Sequence, residues 1–150
     1  MANPLHGLVL VTGPSRGGKS RWAEYLVAQH SPITYVATSD SRPNDSGWQE
    51  RLRLHRERRP SDWDVIESGP DLSIALNTIP THHTVLVDAL GAFTAWHLDA
   101  SPVDWMEVES ELIQSLQARQ RPVVLVIEET GWGVVPSTAI GGRFRDRQGR

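Results

Sequence analysis

The 150-residue chain contains no cysteine, which removes a disulfide framework, a thiolate zinc site and a cysteine nucleophile from consideration at once. It also lacks a dominant charge. A formal net charge of −3 supplies no basic field of the kind that holds nucleic acid or an anionic membrane surface, so neither is expected as a partner. No apolar run approaches the roughly 20 residues that cross a bilayer. Met1 to His6 lacks a charged region followed by a long apolar stretch, so no leader segment or membrane span is expected and the protein is read as cytoplasmic. The histidines show no pair with zinc-motif spacing such as H-E-x-x-H. With 39% hydrophobic residues over 150 positions, one domain over residues 1–150 is expected, and a homo-oligomer is compatible with the sequence.

What the chain does have is a set of short apolar, β-branched runs at Leu8–Thr12, Ile33–Thr38, Thr84–Asp88 and Val123–Ile127. Their continuity predicts strands buried on both faces, as in a parallel sheet flanked by helices. Helical patterns lie between them, at Lys19–Gln29, Gln49–Arg59 and Asp104–Arg119. The alternation predicts an α/β fold with a mostly parallel sheet. The polar stretch Ser39–Gly47 has no apolar period and is expected to be a loop.

Gly13-Pro14-Ser15-Arg16-Gly17-Gly18-Lys19-Ser20 fits G-x-x-x-x-G-K-[ST] and falls between an apolar strand and a helix. Glycines let backbone N–H groups wrap phosphates closely, and the following helix adds the positive end of its dipole. Lys19 is expected to reach the β- and γ-phosphates of ATP or GTP, and the Ser20 hydroxyl to ligate Mg²⁺. A second metal residue is expected at Asp88, where Val85-Leu86-Val87-Asp88 is an apolar strand ending in a carboxylate. A glycine-rich turn that matches by chance is the bland alternative, and the strand–loop–helix context argues against it.

From Arg51 to Arg59 the sequence concentrates positive charge around one histidine, His55. Guanidinium forks suit phosphate oxygens, and a neutral imidazole among them can attack phosphorus to give a phosphoramidate. Spacing alone favours a solvated arginine-rich surface helix with an idle histidine. His6, His30, His82, His83 and His97 have no patterned partner and are expected to be structural or solvated.

Further segments follow in order: Tyr35-Val36-Ala37-Thr38-Ser39, Arg51 through Arg59-Pro60, Trp63 to Glu67, Val85 to Asp88, Glu129-Thr130-Gly131-Trp132-Gly133-Val134-Val135-Pro136, and Phe144-Arg145-Asp146. With these and the phosphate loop, the chain resembles the bifunctional adenosylcobinamide kinase/adenosylcobinamide-phosphate guanylyltransferase family of cobalamin biosynthesis. The resemblance implies a P-loop (RecA-like) NTPase fold, Mg²⁺, ATP and GTP as substrates, and adenosylcobinamide and its phosphate as acceptors. It assigns nucleotide contacts to Gly13, Pro14, Ser15, Arg16, Gly17, Gly18, Lys19 and Ser20, to Ala37, Thr38 and Ser39, to Arg56, Glu57, Arg58 and Arg59, and to Glu67 and Asp88. It makes His55 the guanylylated residue, beside Lys19 as the second catalytic group. The sequence departs from the family at Glu128, where many members have Asn, and in Ala92–His97, which lacks the usual Asn. The family also continues past Arg150, so the chain is expected to be truncated at its C-terminus. Two other readings stay open: a P-loop small-molecule kinase with an idle His55, and a GTP-binding domain without turnover.

Overall fold

The computed structural model describes residues 7–14, 18–39 and 44–129, and not the side chains of Gly13, Pro14, Arg51, His55, Arg58, Glu128 and Glu129. Ser15, Arg16 and Gly17 of the phosphate loop, the segment 130–136 and the basic stretch 141–150 lie outside the described residues.

The elements among the described residues are β1 (Leu8–Pro14), α1 (Lys19–Ala28), β2 (Ile33–Ala37), α2 (Ser46–Arg58), β3 (Asp64–Glu67), α3 (Leu72–Thr78), β4 (Thr84–Asp88), α4 (Leu90–Trp96), α5 (Pro102–Gln117) and β5 (Val123–Glu129). Strands and helices alternate except where α4 is followed directly by α5. The strands form one parallel sheet in the order β1-β5-β4-β2-β3. Successive side chains of a strand point to opposite faces, and the two cores follow from that alternation. Val36, Val85, Val87, Val123 and Leu125 pack with α3, α4 and α5 residues on one face. Ile33, Tyr35, Leu86, Val124 and Val126 pack with Ala23 and Val27 of α1 on the other. Burial on both sides is why these strands read as unbroken apolar runs.

Leu125 is fully buried on β5, between β1 and β4. Leu125→Ala is expected to cost about 2–5 kcal/mol through the lost transfer energy and the cavity left behind. Urea unfolding of the two proteins checks this.

Local chemistry sets the helix ends. Gly18, at φ +79°, precedes α1 in the left-handed region; a Cβ there would meet nothing within 4 Å, so backbone conformation and not crowding is what favours glycine. Asp45 accepts from the Trp48 amide at 3.0 Å at the start of α2, and Ser101 accepts from the Asp104 amide at 3.1 Å at the start of α5. Arg119, just past α5, donates to the carbonyls of Ile79 (2.8 Å), Pro80 (2.8 Å) and His83 (2.9 Å). That guanidinium collects the carbonyls left over where α3 ends and leads them into β4.

Several boundaries differ from the sequence expectation. β3 is a fifth strand, four residues long and largely exposed at a sheet edge, so it carries no continuous apolar run. Ser46 and Gly47, expected in a loop, open α2 because Asp45 caps it. α3 and α4, seven residues each, are too short to display a helical period. Gly13 and Pro14 end β1, in register with Glu128 and Glu129, so the strand runs further into the phosphate-loop motif than its apolar residues suggest.

Candidate active site

Parallel pairing with an unbroken register brings one level of the sheet together across all five strands. Val11, Val126, Asp88, Ala37 and Glu67 are successive partners from β1 to β3. Described residues beyond that row gather at one end of the sheet: Gly18 and the start of α1, Thr38-Ser39 after β2, Ser68 after β3 and Ala89 after β4. In open α/β sheets this is the end where ligands bind.

Asp88 lies two residues beyond Leu86 on β4, so it points to the α1 face. There α1 begins with Lys19 and Ser20, and the Ser20 hydroxyl donates to Asp88 Oδ2 at 3.1 Å across 68 residues of sequence. The Tyr35 hydroxyl donates to the same oxygen at 2.7 Å. Burial, reinforced by the facing Asp88 carboxylate, pushes the Tyr35 phenol well above its ordinary pKa, with Arg59 opposing the shift. Tyr35 is therefore a neutral donor throughout the working range of pH. Arg59, the residue that follows α2, lays its guanidinium over the Tyr35 ring at 4.0 Å from the centroid.

The ends of β2 and β4 are pinned to one another a step further on. Thr38 is fully buried; its hydroxyl donates to the Ala89 carbonyl at 2.5 Å and accepts from the Ala89 amide at 2.9 Å. The Trp96 indole N–H donates to the Thr38 carbonyl at 2.7 Å, and its ring lies beside Gly69, so the end of α4 closes over the same strand ends.

A family model for cobinamide kinase / cobinamide phosphate guanyltransferase matches residues 9–150. The chain belongs to this family. It is 34% identical over 158 residues to the bifunctional adenosylcobalamin biosynthesis protein CobU of Escherichia coli (strain K12), covering 95% of this chain and 86% of that one. It is 32% identical over 143 residues to the bifunctional protein CobP of Pseudomonas aeruginosa, covering 93% and 82%. Among solved structures it resembles the RadB recombinase (TM-score 0.55, 14% identity, 93% of this chain and 72% of that one). It also resembles the flagellar accessory protein FlaH from Methanocaldococcus jannaschii (TM-score 0.53, 17% identity, 93% and 68%). At such identities the two structures speak to the fold alone: the cobinamide kinase/guanyltransferase family member has the RecA-like P-loop NTPase fold, a parallel sheet flanked by helices.

Of the residues that sequence reasoning assigns to the site, the structure brings Lys19, Ser20, Ala37, Thr38, Ser39, Asp88 and Arg59 to one end of the sheet. Glu67 ends β3 at the same level but is exposed and two strands from Asp88, about 10 Å at ordinary strand spacing. Glu57 pairs at 2.5 Å with Arg53, which also bonds Glu50, so its carboxylate is engaged along the exposed surface of α2. Arg56 is exposed on the same helix. His55 lies in α2 four residues before Arg59, within about 15 Å of chain from the residue that covers Tyr35. Its side chain and that of Arg58 are not described. Tyr35 itself was not singled out by sequence reasoning. The one signal for it is that β2 alternates inward toward α1 at Ile33, Tyr35 and Ala37, which puts a polar tip beside the end of β4 only once the strand pairing is known.

Ser20 and Asp88 offer hard oxygen donors, the type that Mg²⁺ prefers. Among the described residues no group of three or more His, Cys, Asp or Glu gathers to hold a metal. Among the described residues no helix is long and apolar enough to cross a membrane.

Proposed function

We propose that this family member phosphorylates adenosylcobinamide with ATP or GTP, then transfers GMP from GTP to adenosylcobinamide phosphate through a guanylyl adduct on His55. The observation that carries this reading is the connected set Ser20–Asp88–Tyr35–Arg59, which joins the start of the phosphate-loop helix to the end of the helix bearing His55.

The donor set fits Mg²⁺ held jointly with nucleotide. One hydroxyl and one carboxylate, Ser20 and Asp88, are too few to hold the ion alone, and Mg²⁺ ordinarily takes its other ligands from phosphates and water. When bound it would neutralise charge on the phosphates. Lys19, at the first position of α1, is suited to balance the charge that builds on the γ-phosphoryl group. A hydroxyl of adenosylcobinamide attacks the γ-phosphorus, the bond to the β–γ bridging oxygen breaks, the hydroxyl proton is released and the nucleoside diphosphate leaves.

In the second reaction a ring nitrogen of His55 attacks the α-phosphorus of GTP, forming a P–N bond as pyrophosphate departs. A phosphate oxygen of adenosylcobinamide phosphate then attacks the same phosphorus, the P–N bond breaks and the imidazole is restored. Arginines around His55 suit the departing anion.

Incubation with α-labelled GTP and Mg²⁺ is the test. Acid-labile, alkali-stable label on the protein is expected. Nucleotide binding with kinase activity and no label would favour a P-loop small-molecule kinase in which His55 is idle. Binding with neither activity would favour a nucleotide-holding domain.

A further inference from the structure

We infer that Tyr35 is a positioning residue of the nucleotide site: its phenol sets the orientation of the Asp88 carboxylate, and its ring face seats Arg59 at the end of the His55 helix. The inference deepens the proposed function and rests on its reading that Ser20 and Asp88 hold Mg²⁺ with the nucleotide.

Tyr35 is 4% exposed and sits between β2 and α1, in register with Leu86 of β4. Its long side chain spans from there to the carboxylate two residues further along β4, where it donates at 2.7 Å. Because the Ser20 hydroxyl reaches the same oxygen at 3.1 Å, two donors converge on Oδ2 from different elements and fix the carboxylate's rotation. Phenylalanine would fill the same space. The hydroxyl is what this site adds, and a buried hydroxyl is costly unless it has an acceptor. The face of the same ring carries Arg59. Its guanidinium lies 4.0 Å from the Tyr35 ring centroid, and Arg59 follows α2 directly, so the end of that helix is tied to the ring that holds Asp88. One side chain thus keeps the acid of β4 and the helix carrying His55 in a common register. A hydrogen-bond partner of a metal-ligating carboxylate ordinarily matters to metal affinity by about 10–100-fold.

The experiment compares the parent chain with Tyr35→Phe, using Mn²⁺ in place of Mg²⁺ and a non-hydrolysable GTP analogue, with bound metal followed by electron paramagnetic resonance. The variant is expected to bind Mn²⁺ about tenfold or more weakly, while affinity for the analogue in EDTA stays within about twofold. Equal Mn²⁺ affinity in the two proteins overturns the positioning role alone. A parent that takes up no metal with the analogue overturns the Ser20–Asp88 reading and this inference with it.

A second measurement needs no substitution. The chain has 2 tyrosines, so uniform 3-fluorotyrosine labelling gives one ¹⁹F line from buried Tyr35 and one from exposed Tyr25. Adding Mg²⁺ to the analogue-loaded protein is expected to move the Tyr35 line and leave that of Tyr25 in place. An unmoved Tyr35 line overturns the inference.

Discussion

Lys19→Ala is expected to weaken GTP binding by at least about 100-fold, equivalent to about 3 kcal/mol, and to abolish phosphoryl transfer with it. Lys19 opens α1, immediately after the left-handed Gly18 and next to Ser20, which reaches Asp88. On the proposed reading an ammonium there would act as a point charge on the β/γ-phosphates, a role for which alanine offers no substitute. It is also the sole lysine in the chain; the other 14 of its 15 Lys and Arg residues are arginine. An amine-directed reagent thus has one ε-amino target, and GTP is expected to protect it. Calorimetry measures the affinity, and unchanged binding in the variant would sink the phosphate-loop reading.

His55→Asn is expected to eliminate the GMP–protein adduct and to lower guanylyl transfer by at least about 10³-fold, while GTP binding stays within a few-fold of the parent. Asparagine keeps polarity and approximate size without a nucleophilic ring nitrogen. α2 leads directly into Arg59, which lies over Tyr35, and Tyr35 donates to Asp88, so the helix bearing His55 is tied to the acid beside the phosphate-loop helix. Labelling with α-labelled GTP, followed by a transfer assay with adenosylcobinamide phosphate, separates the outcomes. Transfer at the parent rate would remove the covalent role from His55. Loss of transfer together with loss of GTP binding would show that the substitution disturbed the nucleotide site itself.

Strands β1, β2, β4 and β5 were legible because parallel pairing under helices buries both faces, which leaves continuous β-branched runs in the sequence. β3 was not, because an edge strand of four mostly exposed residues has no apolar face to display. The start of α2 was hidden by Gly47, a residue that argues against helix on propensity and is overruled by the Asp45 cap. Short α3 and α4 gain their stability from buried Leu72, Leu76, Leu90 and Phe93 packing into the sheet, which seven-residue windows do not reveal.

The site divides along the same line. The phosphate-loop motif is local, since glycine spacing, the lysine and the helix start all lie within eight consecutive residues, and sequence alone determined it. Sequence also determined that an apolar strand ends in Asp88. That Asp88 meets Ser20 across 68 residues, that Tyr35 bonds the same carboxylate, and that Arg59 covers Tyr35 were decided by the tertiary structure. Strand order and register set those distances, and a register shift of one residue would turn Tyr35 or Asp88 to the opposite face of the sheet. Such pairing depends on how the whole core packs and leaves no mark at the individual residues it brings together.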